Sequence, residues 1–288
     1  MNNIRVLKKI NKHKIILGTA NLASSYGLTK TRILKETNAK EFFKYLYKKK
    51  IKYLETAYEY KNNEKIFSKF NLKSFKIIMK INVKKNEFSQ KKIFEKIKLS
   101  LKRYNLKKFY CLMLHNTKSL STKKKSTIFK TLEEIKRKKL VSKIGYSIYD
   151  KEELDKFYLS NKPDIIQGPL NLLNQELLKC GWLKKLKKDK VEFHARSIFL
   201  QGLLLKEREA VPLYFKQYSK YLNKYYNYTE KLNRSKLSTC LNFINNLDNV
   251  TKIIIGIDSI NHLDDILSLK LTNKLSIKEL NKLSINKK

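Results

Sequence analysis

From Lys14 onward, short apolar runs rich in β-branched residues alternate with longer stretches in which apolar residues return every three or four positions. The short runs read as strands over Ile15–Thr19, Tyr53–Thr56, Lys76–Ile81, Phe109–Leu114, Ser142–Ser147, Asp164–Gln167, Val191–Ser197 and Lys252–Ile257. Between them the helical period predicts helices over Ala39–Lys49, Asn63–Phe70, Lys91–Tyr104, Ser126–Lys138, Lys151–Leu159, Gln175–Lys188 and Ile260–Leu267, with a long one inside Pro212–Leu247. Ser126 and Asp150 stand where helix N-caps are expected.

Eight strands, each followed by a helix, in 288 residues are the arithmetic of a parallel (β/α)8 TIM barrel. A doubly wound sheet needs fewer strands and a glycine-rich first turn, and neither G-x-G-x-x-G nor G-x-x-x-x-G-K-[ST] occurs. No Pro/Gly/Ser-rich linker or repeat divides the chain, so residues 1–288 are expected to form one domain. Tyr214, Tyr218, Tyr221 and Tyr225 fall at helical spacing with Lys216, Lys220 and Lys224 on other faces, which predicts a helix packed on the barrel by a tyrosine stripe.

A net charge of +40 invites a nucleic-acid reading. The lysines, however, are spread along the whole chain, and runs such as Lys48–Lys50 and Arg137–Lys139 fall at helix ends, where cations complement the helix dipole. A solvated surface is expected, with no specific nucleic acid as partner, although such a field attracts phosphorylated ligands. Cys111, Cys180 and Cys240 are far apart, form no metal-ligand pair and leave an odd thiol, which fits a reducing cytoplasm. No signal-like or membrane-length apolar run occurs, so no membrane partner is expected.

Active sites of such barrels lie at the C-terminal ends of the strands. Glu55, Lys80 and His115 each fall at the end of a different predicted strand, with Tyr60 in the loop after the second. Taken singly, each is an ordinary surface or core residue. Together they form a proton-transfer set, in which a nearby ammonium favours the phenolate of a tyrosine while burial opposes it.

The ordered series L-G-T-A at Leu17–Ala20, E-T-A-x-x-Y ending at Tyr60 and followed by Glu64, M-K at Lys80, L-H at His115, I-G-Y-S at Ser147, a strand ending in Gln167, and I-I-G-I-D-S at Ile254–Ser259 resembles the aldo-keto reductases from about Ile15 to about Leu267. That resemblance implies carbonyl reduction with a nicotinamide cofactor, usually NADPH, on a barrel without a Rossmann domain. It implies Tyr60 as general acid, Lys80 as the cation that tunes it, His115 as the residue orienting the carbonyl, and Glu55 where the family has Asp. It further implies Ser147 and Gln167 on the nicotinamide carboxamide, Gly256, Ser259 and His262 at the adenosine phosphate, and Asp265 at adenine. Ile148 replaces a frequent Asn, and neither Arg nor Lys stands at His262, so NADH stays open; the acidic Asp258 leans the same way.

A narrower resemblance, carried by His194–Leu205 with Tyr26-Gly27, Pro169 and Asn171, is to a bacterial branch associated with surface-polysaccharide and nucleotide-sugar genes. It places Arg196 where other branches stack an aromatic on the nicotinamide, a position from which its planar guanidinium could stack or meet the cofactor phosphates, and implies a sugar-derived carbonyl substrate. The departures at Glu55 and Ile148 motivate an alternative, a catalytically impaired nucleotide-binding barrel acting as sensor or partner subunit.

Overall fold

Residues 8–20, 22, 38–83, 89–118, 122–257, 259–271 and 277–285 are described by a computed structural model. Eight parallel strands close into a barrel: β1 (Ile15–Gly18), β2 (Tyr53–Ala57), β3 (Lys76–Ile81), β4 (Phe109–Leu114), β5 (Val141–Ser147), β6 (Ile165–Pro169), β7 (Glu192–Arg196) and β8 (Lys252–Ile255), with β8 pairing back to β1. Ile16, Tyr53, Ile78, Cys111, Met113 and Ile165 pack together as one cluster. Their neighbours of opposite parity, such as Leu17, Leu54, Ile77, Leu112 and Ile166, join the larger core under the helices. Strands such as β1 and β4 serve two layers at once and so read as continuous apolar runs. At Gly145 an added Cβ would lie 2.7 Å from the Ile165 carbonyl oxygen, so β5 and β6 approach closely there only because the side chain is missing.

The helices are α1 (Ala39–Lys48), α2 (Lys61–Phe67), α3 (Gln90–Arg103), α4 (Thr122–Arg137), α5 (Lys151–Phe157), α6 (Glu176–Lys179), α7 (Trp182–Lys188), α8 (Ser219–Lys231), α9 (Lys236–Asn245), α10 (Ile260–Ser268) and α11 (Ile277–Leu283). Asp150 caps α5 as expected, its Oδ1 accepting the Glu153 N–H at 3.3 Å. Ser126 does not cap α4, which begins a turn earlier; its hydroxyl instead accepts from Asn161 at 3.2 Å.

Two expected helices are broken. Gly181, left-handed at φ 86°, divides Gln175–Lys188 into α6 and α7, a conformation that costs glycine little. Within Pro212–Leu247, Asn233 at φ 47° separates α8 from α9, and residues Leu213–Tyr218 form a 3-10 turn. The tyrosine stripe divides with them: Tyr225 is buried, whereas Tyr214 on the 3-10 turn is 75% exposed. A two-residue antiparallel pair, Lys8–Lys9 with Lys270–Leu271, and α11 complete the described chain. Gln175 ties α11 to the barrel by donating to the Leu172 and Leu280 carbonyls at 2.8 Å each.

Candidate active site

The registers Ala57↔Lys80 and Ser147↔Gln167 bring the strand ends to one rim. The turn after β2 is fixed from below: Thr19 Oγ1 donates to the Glu55 carbonyl at 2.8 Å, and Asn63 Nδ2 donates to the Thr19 carbonyl at 2.7 Å. Tyr60 thereby stands at the N-cap of α2, and the His115 N–H continues the ladder to the Ile81 carbonyl at 2.8 Å. At this rim a cavity of about 530 Å³ opens, within the range of small-molecule sites.

Glu55, Tyr60, Lys80 and His115 all line the cavity. Lys80 Nζ and Glu55 Oε1 lie 2.7 Å apart, both side chains only 7% exposed. The Tyr60 and His115 rings meet edge to face, centroids 6.3 Å apart. Burial alone would raise the Glu55 carboxyl, but the Lys80 charge and hydrogen bond, together with Gln167, hold it below the ordinary carboxylate range. Burial would lower the Lys80 ammonium; Glu55 first and Tyr60 next overcome this and raise it, against a smaller opposing effect of Arg196. Lys80 is therefore a cation facing the phenol at neutral pH. Glu59, beside Tyr60, has its Oε2 3.9 Å from His115 Nδ1 and accepts the Asn82 N–H at 3.0 Å. Burial would raise that carboxyl too, and these bonds hold it low.

Ser147, Arg196, Gly256, His262 and Asp265 line the same cavity, which extends from the Tyr60 end to α10. Arg196 donates to the Ile148 carbonyl at 2.9 Å and lies over the Tyr149 ring, 4.6 Å from its centroid. Ser259 caps α10, accepting the His262 N–H at 3.2 Å, and is not on the wall. Gln167 is fully buried behind the wall, with Nε2 donating to Glu55 Oε2 and Oε1 accepting from Ser147 Oγ at 3.3 Å. Tyr26, Gly27 and Asp258 lie outside the described residues.

Sequence reasoning missed Tyr149, Phe199, Lys206 and Leu237, all on the wall. Lys206 was indistinguishable among 65 cationic residues, and only the turn Leu200–Leu205 brings it to the cavity. The donor set suits a dinucleotide: the Tyr60 hydroxyl, the Glu55–Lys80 pair, the cations Arg196 and Lys206 and the first turn of α10 share one cavity. Among the described residues no His/Cys/Asp/Glu group has metal-holding geometry, and no helix is long and apolar enough to cross a membrane.

Residues 14–286 match the model of the aldo/keto reductase family. No curated protein sequence matches significantly. Among solved structures, the chain is similar to an aldo-keto reductase of Bacillus halodurans in its holo form, with TM-score 0.72, 17% identity, and 94% of this chain and 91% of that one covered. It is also similar to the glycerol dehydrogenase of Gluconobacter oxydans, with TM-score 0.68, 16% identity and 94% and 90% covered. A thermostable aldo-keto reductase, Tm1743, solved with the inhibitor epalrestat, superposes with TM-score 0.66 at 16% identity, 96% of this chain and 98% of that one covered.

Proposed function

The chain belongs to the aldo/keto reductase family, whose members are nicotinamide-dependent oxidoreductases acting on carbonyls, and on that footing we propose that it reduces a small-molecule aldehyde or ketone with Tyr60 as general acid. The observation that carries this reading is the buried Glu55–Lys80 pair at 2.7 Å, with Tyr60 beside it on the cavity wall. Lys80 lowers the cost of releasing the Tyr60 proton, because the phenolate is left facing a cation. His115, across the edge of the Tyr60 ring, holds the carbonyl oxygen against that phenol.

The reduced nicotinamide, when bound, supplies the hydride that adds to the carbonyl carbon. Tyr60 gives its proton to the carbonyl oxygen, so the product is an alcohol. Ser147 would meet the carboxamide, Arg196 and Lys206 the phosphates, and Gly256, His262, Asp265 and the first turn of α10, capped by Ser259, the adenosine end. NADPH, the family's usual cofactor, is the one we propose, with NADH competing, because the pyrophosphate that Arg196 and Lys206 would meet is common to both. A sugar-derived carbonyl is the substrate class we favour, since its hydroxyls would find Tyr149 and Gln201 around the same cavity. Glu55, one methylene longer than the family's aspartate, still pairs with Lys80, which removes the main motive for a non-catalytic sensor.

Consumption of reduced cofactor with a panel of aldehydes and keto-sugars tests the assignment. Tyr60→Phe is expected to lower kcat roughly 10²- to 10⁴-fold while dinucleotide binding persists. Equal turnover by the two proteins would sink it.

A further inference from the structure

One polar side chain of the rim is held away from the cavity that its strand position suggests. Gln167 of β6 pairs in register with Ser147 on one side and His194 on the other, yet it is fully buried and does not reach the cavity wall. Both ends of its amide are engaged, Nε2 by Glu55 Oε2 and Oε1 by Ser147 Oγ at 3.3 Å. The other oxygen of Glu55 holds Lys80 at 2.7 Å. The direction of the amide follows from chemistry: an ionised carboxylate only accepts, so the NH2 group must face it, and a flipped amide would set two acceptors against each other. One carboxylate therefore serves β3 and β6 together. An aspartate on the same backbone is one bond shorter and cannot span both partners without a shift of the chain.

We propose that Glu55 is a specificity-determining residue, which by binding Gln167 into the acid–base pair withdraws that amide from cofactor recognition. The nicotinamide carboxamide then rests on Ser147 without an amide partner, and the site discriminates weakly against ring substituents that lack the NH2 group. This inference rests on the reductase reading above. Its effect is on binding, and binding reads it independently of turnover.

Isothermal titration calorimetry with NADP+ and with its 3-acetylpyridine analogue, in which a methyl group replaces the amide NH2, gives the test. One uncharged hydrogen bond is worth a factor of roughly three to ten, so the wild-type Kd ratio of analogue to NADP+ is expected near threefold. Glu55→Asp frees Gln167 to reach the cofactor, and the ratio is expected to rise to roughly tenfold or more. Gln167→Leu in the wild-type background is expected to leave the ratio within about twofold of wild type. A wild-type ratio above about tenfold that collapses in Gln167→Leu overturns the inference and leaves the reductase reading standing, as does a Glu55→Asp variant, folded by circular dichroism, with an unchanged ratio. If the Glu55→Asp variant does not fold, the wild type and Gln167→Leu decide between the same outcomes. Failure of the wild type to bind NADP+ and NAD+ alike ends both the inference and the reading it rests on.

Discussion

Glu192, at the start of β7, is an acid-sensitive charge of the barrel. It forms an ion pair with Lys143, accepts from His194 Nε2 at 2.9 Å and lies 3.5 Å from the Tyr110 hydroxyl. Burial would raise its carboxyl, but His194 and Lys143 hold it down to about 2. His194, wholly buried, is pushed below its ordinary 6.5 by burial, despite Glu192, and so stays neutral in the fold. Both shifts have the same sign for stability, because the unfolded chain binds more protons than the folded one as acid is added. The His194 contribution begins to be lost below about 6.5, and that of Glu192 between the ordinary 4.5 and about 2. Glu55, also held low, adds to the loss below 4.5. Urea unfolding followed by circular dichroism across this range should show a midpoint that falls steadily toward acid. Glu192→Gln should be less stable than wild type at pH 7 and should show a flatter slope below 4.5; parallel slopes for the two proteins would refute the assignment.

At the level of elements, the segment after β7 builds one side of the cavity. Leu200, Gln201 and Gly202 are successive left-handed residues, an arrangement that costs free energy at the two non-glycine positions and persists only when neighbours enforce it. Tyr225 of α8 is one enforcer: its buried hydroxyl donates to the Leu204 carbonyl at 2.6 Å and touches Cys240 Sγ at 3.6 Å. Tyr225→Phe leaves that carbonyl without its donor and should cost about 1–3 kcal/mol. Because Leu205 and Lys206 follow directly on the wall, dinucleotide affinity should weaken in the same variant. Tyr214→Phe, on the exposed 3-10 turn, should change neither quantity. Denaturation midpoints and calorimetric Kd values for the two variants check the contrast.

For the molecule as a whole, 65 cationic against 25 acidic side chains make self-repulsion the dominant long-range field. The screening length falls from about 30 Å at 0.01 M salt to about 10 Å at 0.1 M, so added sodium chloride should raise the thermal midpoint until the surface charges no longer interact. The same field should bind nucleic acid without sequence preference and release it steeply with salt. A thermal midpoint that is flat between low and moderate salt would refute self-repulsion as a destabilising force.

The strand runs were legible because a strand inside a closed barrel is apolar on both faces, and Ile15–Gly18, Lys76–Ile81 and Phe109–Leu114 need nothing else to be recognised. That Glu55, Tyr60, Lys80 and His115 would share one cavity was legible because they lie on or just after successive strands, and a parallel barrel gathers strand ends at one rim. The helix breaks at Gly181 and Asn233 were not, since both lie in stretches whose apolar period is helical and only packing selects the left-handed backbone. Nor could sequence show that Lys206 reaches the cavity or that Glu55 takes Gln167 as its second partner. Local pattern determined which residues form strands and which helices, because periodicity is a property of neighbours in the chain. Partnership between residues 112 positions apart was decided by the closure of the barrel and the length of one side chain, quantities that exist only in three dimensions.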